Sequence, residues 1–279
     1  MTRHLPPEDL RALALDVDGT LLSDEHVVTD ASVQAVARAR SAGVVVILTS
    51  ARHPAGLAAI QKRLGLQHEW FVACQGAVVG RQTSDGKWDI LSESTIDPYQ
   101  ALSIEELARH QGLSVGRFTG NHWFVREIDA PIEDEMSITG AVPEIISGDL
   151  LSPQSAPHKM IVACARDDDT AALQDFARRL PLSLSGSFSH PYMLEITLSG
   201  VDKFVGLSKV LKSLEIPLAT VAAVGDGHND ITMLRSVGYS FAMGNASPAV
   251  RAAAGWATAA NSDEGVARAI DQLFASPNV

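Results

Sequence analysis

Four short polar stretches, each following an apolar run, hold the residue types that chemistry at a phosphate requires. They are Asp16-Val17-Asp18-Gly19-Thr20, Ser50-Ala51-Arg52, Lys203, and Gly225-Asp226-Gly227-His228-Asn229-Asp230. Together they supply carboxylates, a lysine, a hydroxyl and an amide, a set able to hold a divalent metal and attack phosphorus. Asp16 and Asp18 stand two apart at the end of an apolar run. Two carboxylates so close repel one another, and burial sharpens the repulsion unless a cation lies between them. Mg²⁺ suits hard oxygen ligands and often combines a carboxylate or two with a substrate phosphate. Each stretch also has an ordinary structural reading. Asp-Val-Asp-Gly reads as a surface turn, since Asp-Gly is a common turn pair, Ser50 as a helix cap, and Gly225–Asp230 as a capped helix after a glycine turn. Lys203, at the start of a helix, opposes the helix dipole. An anion nearby explains that placement, and so does a solvated surface position.

The elements that must position these residues alternate strand and helix in both end regions. Ala12–Leu15 reads as a short strand ending at Asp16, and Ala31–Ala42 as a helix stopped at Gly43. Val44–Leu48 is a β-branched and aliphatic run suited to a strand covered on both faces. Pro54 opens a helix with Leu57, Ile60 and Leu64 on one side, and Trp70–Ala73 is a third strand. Late in the chain, Phe204, Leu207, Val210, Leu211 and Leu214 share a helix face. Val221–Val224 and Ser240–Met243 read as strands, Ser247-Pro248 as a helix start, and Val266, Ile270 and Leu273 as a final helical face. This rhythm predicts an α/β fold, a Rossmann-like parallel sheet with right-handed crossovers. Its strands would end in Asp16, Ser50, Gln75, Asp226 and Asn245, and ligands of open α/β sheets bind beyond such carboxyl ends.

The middle, 81–196, has a different texture. Short alternating strands such as His122–Val125 and Lys159–Cys164 mix with helices near Gln100–His110 and Thr170–Leu180. Turn signals recur at Asp85-Gly86, Thr119-Gly120-Asn121 and Ser185-Gly186. This predicts a core of 1–80 and 197–279 with an α+β cap of 81–196 inserted over the site.

The bulk properties narrow the partners. The chain has 279 residues, 46% of them hydrophobic, enough for a sizeable core. A net charge of −11 disfavours nucleic acid and anionic membranes. Two cysteines, Cys74 and Cys164, lie far apart without ligand spacing, so a disulfide framework is not expected and a reducing cytoplasm is. Met1–Leu10 lacks the apolar stretch of a signal peptide, and no run of residues is apolar enough to span a membrane.

With these motifs assembled, the chain resembles the haloacid dehalogenase-like superfamily of phosphohydrolases along nearly its whole length. Asp16-Val17-Asp18-Gly19-Thr20-Leu21-Leu22 matches the first motif, Ser50 the second, Lys203 the third, and Gly225-Asp226 with Asn229-Asp230 the fourth. The Lys203 helix, Phe241-Ala242-Met243-Gly244-Asn245-Ala246 and Glu264-Gly265-Val266 are similar to the Cof-type branch, which carries a large α/β cap between its second and third motifs. The resemblance implies Asp16 as nucleophile and Asp18 as acid and base. It implies Mg²⁺ held by Asp16, the Asp18 carbonyl and Asp226 with support from Asp230, and phosphate held by Ser50, Lys203 and Asn229. Ser50-Ala51-Arg52 replaces the commoner Thr-Gly-Arg, and Cys74-Gln75-Gly76-Ala77 stands where relatives usually have Asn-Gly-Ala. Arg52 either reaches the substrate or buttresses its loop.

The expected function is Mg²⁺-dependent hydrolysis of a small phosphorylated metabolite, with sugar phosphates implied by the resemblance. The alternatives are transfer of the phosphoryl group to a second alcohol, as in a phosphomutase, and a binding role without turnover. Arg117, His122, Trp123, Arg126, His158, Lys159, His190 and Tyr192 are the cap's candidates for substrate contact. The oligomeric state stays open.

Overall fold

The computed structural model describes residues 10–148, 155–166 and 170–275. The reading of Met1–Leu10 lies outside them except for Leu10. Two sheets organise the chain, one of eight strands and one of six. Across the larger sheet the order is Trp256–Ala257, Tyr239–Ala242, Val221–Gly225, Ala12–Asp16, Val45–Thr49, Phe71–Ala73, Val78–Gln82 and Trp88–Glu93. The strands from Trp256–Ala257 through Phe71–Ala73 are all parallel, and the last two add an antiparallel hairpin at the edge.

Alternate residues of the central strands enter different cores, the signature of a sheet covered on both faces. Leu13, Leu15, Val46 and Leu48 pack with Val36, Leu57, Ile60, Ile270 and Leu273, which come from helices Asp30–Ser41, Pro54–Leu64 and Gly265–Phe274. Ala12, Ala14 and Ile47 pack on the opposite side with Leu207, Val210, Leu211, Met233 and Val250. Those come from helices Lys203–Ser213, Ile231–Ser236 and Pro248–Arg251. The expected helix at Ser247-Pro248 forms with proline in its first turn, although the Ser247 hydroxyl makes no capping bond.

The six-stranded sheet runs Leu184–His190, Met193–Leu198, Lys159–Ala163, Ser114–Thr119, His122–Val125 and Glu144–Ile145. Met160, Val162, Leu194 and Ile196 point to one core with Ile104, Leu173 and Phe176. Phe118, Trp123, Ile161 and Met193 point to the other with Ile132.

Two details differ from the sequence expectation. The expected boundary at 81 falls inside the strand Val78–Gln82, which pairs with Trp88–Glu93 in the larger sheet; helix Pro98–His110 is the first element packed on the smaller one. An alternating hairpin around Asp85-Gly86 reads the same whichever sheet it borders. Ser185-Gly186 is not a turn but the start of a strand. A Cβ at Gly186 would lie 2.7 Å from Leu180 Cδ1 and 3.0 Å from Leu194 Cδ1, so close packing explains that glycine. No helix among the described residues is long and apolar enough to cross a membrane.

The two layers meet at His53, a buried residue preceding helix Pro54–Leu64 whose ring lies 5.5 Å from that of Phe118. Burial, and then the charges of Lys159 and Arg52, push its pKa from 6.5 down to about 4. The unfolded chain therefore takes up this proton as pH falls below 6.5 while the folded chain does not. The neutral imidazole contributes stability above that value, and the contribution disappears between pH 6.5 and 4, about 3 kcal/mol in all. Denaturant titrations of wild type and His53→Gln should show a shallower pH dependence for the variant in that interval. Parallel curves would remove His53 as the cause.

Candidate active site

The carboxyl ends of the central strands deliver the first motif and the fourth to one point. Asp16 closes its strand, and the chain turns through Val17–Leu21 with Gly19 at φ +75°. A Cβ at Gly19 would sit 2.4 Å from an Asp226 carboxylate oxygen, so only glycine permits this approach. The Thr20 hydroxyl donates to Asp226 Oδ1 at 2.8 Å, and Asn245 Nδ2 donates to the Gly19 carbonyl at 2.8 Å and to Asp226 Oδ2 at 3.4 Å. Three carboxylates gather there: ligand oxygens of Asp16, Asp226 and Asp230 lie within 4.8 Å of one another.

Lys203 enters this cluster from the first position of its helix. Its ammonium donates to Asp16 Oδ1 at 2.5 Å and to Asp230 Oδ1 at 2.8 Å, with the lysine side chain 2% exposed. The helix dipole's cost to a lysine there is met by two carboxylates, while Asp202 caps the helix through Val205 N–H at 2.7 Å. Burial opposes the lysine's charge, but Asp16 and Asp230 outweigh it and hold its pKa above the ordinary range. Asp16 moves well above its usual value, first through burial and then through the Asp230 charge, which Lys203 offsets only in part. Burial also raises Asp226. One lysine among three acids leaves the cluster short of positive charge.

Asp230 is fully buried, and both its oxygens are engaged: Oδ2 accepts from the backbone N–H of Asp226 at 3.1 Å and of Gly227 at 2.9 Å. It shapes the loop that presents Asp226 and orients Lys203. Asp18 stands apart from the carboxylate cluster. Its side chain, 41% exposed, receives Arg52 Nη2 at 2.6 Å and Nε at 2.9 Å. The same guanidinium reaches the Ile138 and Thr139 carbonyls at the end of helix Ala130–Thr139. Arg52 thus joins Asp18 to the smaller layer, and it also borders the cavity above the carboxylate cluster. Ser50 is fully buried, and its Oγ accepts the Arg52 N–H at 3.0 Å.

Above the cluster is a cavity of about 770 Å³ between the two layers, a size suited to a small metabolite. Asp16, Asp18, Arg52, Lys203, Asp226 and Asn229 all line it, whereas Ser50 and Asp230 lie behind its wall. Among the cap candidates only Lys159 and His190 reach it. Trp123 is buried and stacks on Phe118 at 5.3 Å, so it is core. Arg117 and Arg126 both pair with Glu105, His122 with Glu144, and His158 with Glu93. The Tyr192 ring lies beneath the Arg166 guanidinium.

Two acidic wall residues escaped the sequence reading. Glu195 carried a signal, as a lone acid within the apolar strand Met193–Leu198. Glu135 carried none, standing in an acidic helix segment that reads as solvated. Gln75 has the left-handed φ of 59° and joins the layers: its Nε2 donates to Glu195 Oε2 at 2.7 Å, and its Oε1 accepts from Asn229 Nδ2 at 3.1 Å. Its extra methylene, relative to asparagine, gives the amide reach to the cap strand. Gly76 must follow it, because a Cβ there would come within 2.0 Å of the Asp202 carbonyl oxygen.

A parallel α/β sheet with a metal-ready acidic cluster at its carboxyl edge, roofed by a second layer, defines a hydrolase of phosphate-handling type. The chain matches the family model of haloacid dehalogenase-like hydrolases over residues 13–270, and it belongs to that family. Pyridoxal phosphate phosphatase of Escherichia coli is 27% identical over 278 residues, spanning 93% of this chain and 97% of that protein. The 5-amino-6-(5-phospho-D-ribitylamino)uracil phosphatase YcsE of Bacillus subtilis is 25% identical over 264 residues, spanning 94% and 95%. A haloacid dehalogenase-like hydrolase from Bacteroides thetaiotaomicron shares the fold with a TM-score of 0.85 at 24% identity, covering 95% of this chain and all (100%) of its own. The present chain is accordingly a hydrolase of this family, and its Escherichia coli and Bacillus subtilis relatives are phosphatases.

Proposed function

We propose that the protein is a Mg²⁺-dependent phosphatase of small phosphorylated metabolites, sugar phosphates among them, that works through an aspartyl-phosphate at Asp16. The observation that carries this reading is the Asp16 carboxylate, set in the cavity wall against Lys203, with Asp18 two residues on at the same cavity. An Asp16 oxygen attacks phosphorus and the ester P–O bond breaks. Asp18 gives its proton to the departing alkoxide. Water then attacks the phosphorus of the acyl phosphate, Asp18 takes a proton from it, and Asp16 returns to a carboxylate with release of inorganic phosphate. Arg52 keeps the Asp18 carboxyl in place during both halves. Lys203 and Asn229 hold phosphate oxygens from the cavity wall, and Ser50 retains its own O–H to donate from below.

The donor set fits Mg²⁺: hard carboxylate oxygens, closely grouped, with too few lysines to neutralise them. Asp16 and Asp226, with the Asp18 carbonyl, would hold the ion, and Asp230 would position them. When bound it neutralises charge on the phosphoryl oxygens. Release of inorganic phosphate across a panel of sugar, polyol and nucleotide monophosphates, with Mg²⁺ or with EDTA, tests the proposal. Chelation should lower the rate by about 100-fold or more. Full activity in EDTA would sink the metal assignment. Activity that requires a bisphosphate primer and releases little free phosphate would replace hydrolysis with phosphoryl transfer.

A further inference from the structure

The end of the cavity formed by the smaller layer is chemically distinct. Three ionisable side chains of the smaller layer define it: Glu135 on helix Ala130–Thr139, Lys159 and Glu195. Lys159 and Glu195 are matched to each other. The ammonium lies 3.4 Å from Glu195 Oε1 and 4.7 Å from the Phe118 ring centroid, and Glu195's other oxygen takes the Gln75 amide. Glu135 differs. It is only 8% exposed and faces the cavity, and among the described residues its carboxylate makes no hydrogen bond or ion pair.

A carboxylate buried without a donor is costly, and proteins seldom keep one without a use. Burial pushes Glu135 above its ordinary pKa, and the Glu195 and Asp18 charges work in the same direction against Lys159 and Arg52. The fold therefore holds an acceptor ready for a donor that it does not itself supply. Nearby wall groups are neutral: Ser187 and Ser189 carry hydroxyls, and burial followed by the Arg166 charge lowers the His190 pKa. Glu135 and Glu195 against Lys159 give this end a net negative balance, and Arg52 is already committed to Asp18.

We propose that Glu135 is a specificity-determining residue that accepts a hydrogen bond from a hydroxyl or ammonium group on the leaving alcohol. It selects polyhydroxy and amino phosphomonoesters over esters that carry a second anionic group. The inference rests on the reading of Asp16 as the reaction centre and names the substrate chemistry of that site. A second phosphate or a carboxylate in the leaving group would meet the Glu135 and Glu195 charges at this wall of the cavity.

The test compares kcat/KM for a hexose 6-phosphate, a hexosamine 6-phosphate, a sugar bisphosphate and phenyl phosphate, which has no donor. Wild type should favour the first two over the bisphosphate by about 10-fold or more. In Glu135→Leu the ratio of each donor ester to phenyl phosphate should fall by about 10- to 100-fold, carried mainly by KM. Glu135→Gln, which keeps an acceptor without charge, should lose less with the hexose ester than with the hexosamine ester. Equal losses for both in that variant would assign the recognition to hydrogen bonding without charge. Neither variant should melt below wild type, because each removes a buried unpaired charge. Unchanged ratios, or a lowered melting temperature with all esters losing alike, would overturn the proposal. A wild type active on phenyl phosphate with unmoved ratios condemns Glu135 alone. A wild type that hydrolyses no ester condemns the phosphatase reading along with it.

Discussion

Asp16→Asn should reduce Mg²⁺-dependent phosphate release to less than about one ten-thousandth of wild type while leaving a folded protein. The amide has the carboxylate's shape but cannot form the acyl phosphate, and Asp18, intact beside it, has no intermediate to hydrolyse. The fold should persist because Lys203 keeps Asp230 as a partner at 2.8 Å. Burial and the neighbouring acids raise the Asp16 pKa above the ordinary 3.8. A raised carboxyl contributes stability at low pH that is lost as pH rises through its folded value. The variant escapes that loss, so in EDTA at neutral pH it should melt at or above the wild-type temperature. Mg²⁺ should raise the wild-type melting temperature more than the variant's. Retained turnover in Asp16→Asn would exclude it as nucleophile. Loss of turnover together with loss of the folded signal would assign it a structural role.

Lys203→Ala should show the largest fall in stability of any single change at the site, about 3–5 kcal/mol without divalent metal. It removes the one ammonium held between Asp16 and Asp230 and leaves Asp16, Asp226 and Asp230 facing one another unneutralised. Two outcomes separate this from simple loss of packing. Mg²⁺ should restore part of the stability, because a divalent ion relieves the same repulsion. Adding Asp230→Asn should recover more than it costs alone, giving a favourable coupling in a double-mutant cycle. Phosphate release should remain abolished in both, since neither restores the Lys203 ammonium that holds a phosphoryl oxygen from the cavity wall. A single variant that unfolds with wild-type free energy in EDTA would show that the cluster is not under electrostatic strain.

The core was legible because its signals are local. Val44–Leu48 announces a doubly covered strand by composition, and the structure sends Val46 and Leu48 to one core and Ile47 to the other. Helix faces such as Leu57, Ile60 and Leu64 follow from spacing alone. The convergence of Asp16 with Asp226 was also readable, since residues at the carboxyl ends of adjacent parallel strands must meet. The second layer was harder. Arg117 and Trp123 looked available for a ligand, but both are buried, one paired with Glu105 and the other stacked on Phe118. Alternation along a short antiparallel strand does not say which face is covered, because that depends on which helices pack there.

The sequence by itself determined the central parallel strands and the acidic residues at their carboxyl ends, because backbone periodicity and motif spacing are properties of contiguous residues; the layer to which the hairpin of Val78–Gln82 and Trp88–Glu93 belongs was not among them. Only the tertiary structure decided which side chains close the cavity. Gln75 reaches Glu195 and Asn229 across the two layers, Arg52 turns to Asp18 and not to open space, and Glu135 is left facing the cavity without a partner. These outcomes depend on distances between segments more than a hundred residues apart in some cases, and packing, which sets such distances, is not written in any local pattern.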